Sequence, residues 1–114
     1  LGLGENGHLG FNQPQSPFDG EAWVTKMNPE LEERIRWETG TPPEKELGGA
    51  TLGIKNIIQA RRNLLLAKRR NKAGIVKQML EGPVTPDVPA SVLQLHPNCE
   101  FLLDTASASE LSEN

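Results

Sequence analysis

From Ile54 onward the apolar positions of the chain switch back and forth between a helical and a strand period. Ile54, Ile57 and Ile58 fall on one helical face, and Leu64 to Ala67 is a short continuous apolar run suited to a parallel strand buried on both faces. Lys72 to Leu80 is helical again, with Ile75, Val76, Met79 and Leu80 on the side that would face a sheet, and Gly82-Pro83 stops it. Pro89 to Leu95 reads as another short helix, and Glu100 to Leu103 as a final strand that ends in Asp104. Such alternation predicts helices packed between parallel strands.

The first half is more broken. Leu1 and Leu3 form an apolar, strand-like opening, followed by a turn in which Gly2, Gly4, Gly7 and Gly10 flank His8. Gln13 to Gly20 is rich in Pro, Ser, Gly and Asp and reads as an irregular loop. Ala22 to Met27 is a short strand. Asn28-Pro29-Glu30 then signals a helix start, with an Asn cap, Pro at the first position and acid in the first turn. Leu31 and Ile35 share that helix's buried face, Glu32 and Arg36 form a surface pair, and Glu30, Glu32 and Glu33 complement the helix dipole. Glu38 to Gly49, with Pro42 and Pro43, is a second polar loop, either a flexible lid or disordered. Thr105 to Asn114 is small and polar, a frayed helix or tail. The order implies three parallel strands. The expected fold is therefore α/β: the C-terminal part of a doubly wound, Rossmann-like, mostly parallel sheet with helices on both faces, and residues 1–114 are one partial domain of something longer.

Composition narrows the class. Hydrophobic residues make up 36% and charged residues 24% of the 114 positions, a globular balance, and a formal net charge of −3 argues against a general nucleic-acid binder. No apolar run approaches the roughly 20 residues that span a bilayer. Cys99 has no second cysteine to pair with, so a reducing cytoplasm is the expected compartment, and the residue itself reads as a small core side chain.

The chemistry concentrates at the opening turn. A histidine presented by glycines just past a strand end is placed for proton transfer near neutral pH. The stretch Leu-Gly-Leu-Gly-Glu-Asn-Gly-His-Leu-Gly-Phe-Asn-Gln-Pro, Leu1 to Pro14, resembles the glucosamine-6-phosphate deaminase/galactosamine-6-phosphate isomerase signature Gly-x-Gly-x-Asp-Gly-His-x-x-Phe-Asn-Glu-Pro. Further blocks are similar in the same order: Ala50 to Lys55, Ala60-Arg61, Leu64 to Leu66, Asn71 to Ala73, Leu80 to Gly82, and Pro89 to Pro97 ending in Leu-Gln-Leu-His-Pro. Together they span nearly the whole chain.

The resemblance implies an enzyme of amino-sugar catabolism that converts a 2-amino-2-deoxyhexose 6-phosphate into a ketohexose 6-phosphate and ammonia, without metal or organic cofactor. It implies a small sugar phosphate as partner, neither nucleic acid nor membrane, and leaves homo-oligomer formation open. In the family the C2 base and the glycine-rich phosphate loop come from the N-terminal half. His8 matches the ring-opening histidine, while Asn6 and Gln13 stand where the glucosamine enzymes carry an aspartate and a glutamate. Amides can hold a histidine by hydrogen bonds but cannot take its proton. Asparagine at the first position also occurs in the galactosamine branch. Lys72 matches the family lysine that contacts the substrate phosphate, and Arg36 stands beside the position of the family arginine on the helix after the histidine loop. Lys68-Arg69-Arg70 replaces a more usual small or glycine-containing stretch, and His96 is expected to be structural or at a subunit interface. Two other readings share these features. One is a 6-phosphogluconolactonase, against which Phe11-Asn12-x-Pro14 argues; the other is a sugar-phosphate-binding paralogue without turnover, which Gln13 favours.

Overall fold

The computed structural model describes residues 1–27 and 29–112. Its elements in chain order are β1 (Trp23–Lys26), α1 (Pro29–Thr39), β2 (Gly48–Thr51), α2 (Ile54–Gln59), β3 (Asn63–Ala67), α3 (Ala73–Glu81) and β4 (Cys99–Leu103), with 3-10 turns at Arg70–Lys72 and Pro89–Leu95. The architecture is mixed α/β. The Asn28 cap expected for α1 lies outside the described residues.

β3 and β4 pair in parallel, with Leu64 opposite Glu100 and Leu66 opposite Leu102. The opening segment runs beside β3 in the same direction. Gly2 bridges Leu66, the Leu1 nitrogen donates to the Leu64 carbonyl at 2.7 Å, and the Leu66 N–H donates to the Leu1 carbonyl at 2.9 Å. Three parallel runs are thus present, the first reduced to a single bridge. β1 and β2 form a separate antiparallel pair, with Val24 opposite Ala50, and α1 connects them. β2 was not expected. Gly48 and Gly49 fall within it rather than in a loop, and α1 extends through Thr39, so the polar connection is shorter than Glu38 to Gly49.

One face of the parallel sheet is packed. Leu3, Leu9, Ile54, Ile57, Leu65, Val76, Met79 and Leu93 form its core, and full burial of each large aliphatic side chain contributes about 1.5–3 kcal/mol. Within this chain burial alternates along β3, and Leu66 and Leu102 are 54% and 50% exposed. Apolar residues at the successive positions Leu64 to Ala67 read as a continuous run whichever face is covered. α1 buries no residue fully; Leu31 and Ile35 are only half-buried.

Polar side chains close the ends of these elements. Gln94 donates to the carbonyls of Met79 and Gly82 at 2.6 and 2.9 Å, satisfying acceptors at the end of α3 that the helix itself leaves open. Buried His96 lies 2.7 Å from the Ala60 carbonyl through Nε2 and accepts the Asn98 N–H at Nδ1, a structural role. Residues 105–112 do not fray. Ser107 is fully buried and donates to the Ala67 carbonyl at 3.0 Å, and the Ser112 N–H donates to the Glu81 carboxylate. That backbone donor, then Lys77, holds the Glu81 carboxyl below its ordinary range. Burial pushes the Cys99 thiol up, which suits a packing residue. Among the described residues, no helix is long and apolar enough to cross a membrane.

Candidate active site

The turn that carries His8 is built from backbone bonds that its glycines permit. The Gly7 N–H donates to the Gly4 carbonyl at 2.9 Å, the Gly4 N–H donates to the His8 carbonyl at 3.1 Å, and Gly7 takes φ +89°, which side chains rarely tolerate. The Gly7 carbonyl accepts the Ala90 N–H at 2.9 Å, which ties the turn to the Pro89–Leu95 helix. Leu9 is wholly buried beneath it.

Asn12 is the hub of the loop. Only 2% exposed, it donates to the carbonyls of Leu9 and Leu52 at 2.9 and 2.8 Å and accepts the Trp23 indole N–H at 3.0 Å. One side chain thus joins the histidine loop to β1 and to the segment after β2. The Phe11 N–H donates to Thr51 Oγ1 at 3.2 Å and strengthens the same link.

His8 Nδ1 lies 2.8 Å from the Gly10 carbonyl. A carbonyl only accepts, so Nδ1 carries the proton and Nε2 is left as the basic nitrogen of the neutral ring. The amides do not touch the ring. Asn6 Oδ1 accepts the His8 backbone N–H at 3.1 Å, and Asn6 Nδ2 donates to Gln13 Oε1 at 2.8 Å. Two carboxylates at that spacing would repel or share a proton, whereas two amides satisfy each other.

Asn6, His8, Phe11 and Gln13 line a hollow of about 470 Å³, closed on its other side by Glu30, Leu31 and Arg34 of α1. That size falls in the range of small-molecule sites. A larger hollow of about 600 Å³ sits on the sheet between Leu66 and Phe101, and no residue of the histidine loop lines it.

Of the residues expected at the site, His8, Asn6 and Gln13 come together. Arg36 does not join them: its guanidinium is 2.7 Å from Glu32 and 2.6 Å from the Pro42 carbonyl, and Arg34 faces the hollow instead. Lys72 lines a second hollow of about 340 Å³ with Lys68, Arg69 and Asn71, near the carboxyl end of β3. Its ammonium donates to the Leu3 carbonyl, one residue before the glycine against which the His8 ring lies, so the two hollows flank the same backbone. Glu30 and Arg34 line the hollow although the sequence did not point to them there. Their spacing is that of Glu32 and Arg36, so no local signal in the sequence told the two pairs apart.

No family model matches the chain. Its fold is nevertheless similar to that of solved enzymes. It superposes on a monomeric glucosamine-6-phosphate deaminase with a TM-score of 0.81 at 35% identity, covering 96% of this chain and 45% of that one. A 6-phosphogluconolactonase from Trypanosoma brucei superposes at a TM-score of 0.68 and 25% identity, over 98% of this chain and 41% of that one. By sequence it is similar to glucosamine-6-phosphate deaminases. It is 42% identical over 111 residues to the glucosamine-6-phosphate deaminase of Streptococcus suis (strain 05ZYH33), covering 97% of this chain and 47% of the relative. With that of Lacticaseibacillus paracasei it shares 42% identity over 113 residues, covering 99% and 48%. The chain spans about half the length of the curated relatives it matches.

Proposed function

We propose that the chain forms the histidine-bearing part of an amino-sugar-phosphate isomerase/deaminase, which converts glucosamine 6-phosphate or galactosamine 6-phosphate into a ketohexose 6-phosphate and ammonia. The observation that carries this is His8, whose Nδ1 is engaged by the Gly10 carbonyl while the ring lines a hollow of hexose size. Nε2 is then the atom that takes the proton of the anomeric hydroxyl and returns it to the ring oxygen, opening the sugar. Arg34 is the cation of that hollow and suits the phosphate, and Lys72 serves the same charge from the neighbouring hollow. The proposal extends to a doubly wound sheet in the whole protein, to a cytoplasmic setting and to proton relay without a cofactor.

A second reading, binding without turnover, is favoured by the mutual Asn6–Gln13 bond, which leaves no carboxylate on the loop beside His8. Incubation with each amino-sugar phosphate while following ammonia separates the two. Ammonia from either epimer establishes the enzyme; saturable binding with no ammonia establishes the binder; neither result sinks both.

A further inference from the structure

Helix α1 carries two Glu/Arg pairs four residues apart, and the structure treats them differently. Glu32 and Arg36 close into an ion pair at 2.7 Å. Glu30 and Arg34, with the same spacing and order, make no such pair among the described residues, and both line the hollow of His8. Left apart, they present opposite charges to whatever occupies it. Glu30 is also the only carboxylate among the described residues lining this hollow, because Asn6 and Gln13 are amides bonded to each other.

We infer that Glu30 recognises the ammonium group of the sugar and so selects an amino sugar over the corresponding hydroxyl sugar. This rests on the sugar-phosphate reading of the hollow. A 2-amino-2-deoxyhexose 6-phosphate is a cation at one end and an anion at the other, and the two side chains on one helix face match that polarity. A 2-hydroxyl offers Glu30 a neutral hydrogen bond only, whereas an ammonium adds charge. Glu30 is solvent-exposed, so the discrimination is modest, about fivefold.

The test is calorimetric titration of the chain with glucosamine 6-phosphate and with glucose 6-phosphate, repeated on Glu30→Gln and on Glu32→Gln. Expected is about fivefold tighter binding of the amino sugar, reduced to parity in Glu30→Gln and retained in Glu32→Gln, whose carboxylate belongs to the closed pair. Equal affinity in the parent chain, a preference that survives Glu30→Gln, or equal loss in both variants overturns the inference while leaving the sugar-phosphate reading in place. Failure of both ligands to bind overturns the two together. Circular dichroism of each variant verifies that α1 is retained, and Glu30→Asp, which keeps the charge, should keep part of the preference.

Discussion

The imidazole of His8 lies against Gly4 so closely that a Cβ on Gly4 would sit 2.0 Å from the ring's Cδ2 and 2.2 Å from its Nε2. Those separations are far inside van der Waals contact, so Gly4→Ala must move the ring rather than crowd it. Displacing a reacting group by about 1 Å costs on the order of 100-fold in rate. Ammonia release should fall by that factor in Gly4→Ala while the far-ultraviolet dichroism stays unchanged; an unaltered rate would remove His8 from the chemistry.

Gln13→Glu keeps an acceptor for Asn6 Nδ2, now at 2.8 Å from Gln13 Oε1, so the loop should hold its shape. The new charge supplies a carboxylate beside His8. If that group limits proton transfer, ammonia release rises about 10- to 100-fold, the usual scale of general acid–base assistance. A rate that does not move places Gln13 outside the reaction.

Arg69 is held at φ +78°, ψ 157°, a region almost restricted to glycine. Its N–H donates to both Asp104 oxygens, at 3.2 and 3.0 Å, and this contact keeps the backbone there. Arg69→Gly relieves the strain but enlarges the unfolded ensemble, for a net gain of about 1 kcal/mol. Thermal melting should show a midpoint raised by about 4 °C.

Asp104 also fixes the pH response. The Ser107 N–H, then the Arg69 N–H, hold its carboxyl below its ordinary value of 3.8. A group depressed on folding contributes stability that is fully present above the unfolded value and lost as pH falls through the folded one. Stability measured by urea titration should therefore decline below about pH 4, and Asp104→Asn should flatten that decline. An identical acid limb in the variant would show that Asp104 plays no part.

Helices α2 and α3 were legible from the period of their apolar residues, and strands β3 and β4 from short continuous apolar runs. β2 was not. Gly48-Gly49-Ala50-Thr51 has no large apolar side chain, and it is a strand because it pairs with β1 and because a bare Gly49 admits the Phe11 ring, which a Cβ would meet at 2.6 Å. The loop of His8, Asn6 and Gln13 was legible as a motif, since backbone turns are local. The helix residues opposite it were not. Arg34 and Arg36 are two positions apart and point in different directions on a helix, and which one meets the hollow depends on how α1 docks. Tertiary docking leaves no trace in a charge pattern.

The bond from the Trp23 indole to buried Asn12 gives the protein an optical signal of its own. Trp23 is fastened to the loop that bears the imidazole, while Trp37 stands on α1 at 86% exposure, so the two fluorophores report on separate parts of the structure. A ligand that tightens the loop changes the emission of the first, and one that draws the helix inward shields the second from a dissolved quencher. Occupancy can thus be followed by light alone, with no dye attached and no product formed.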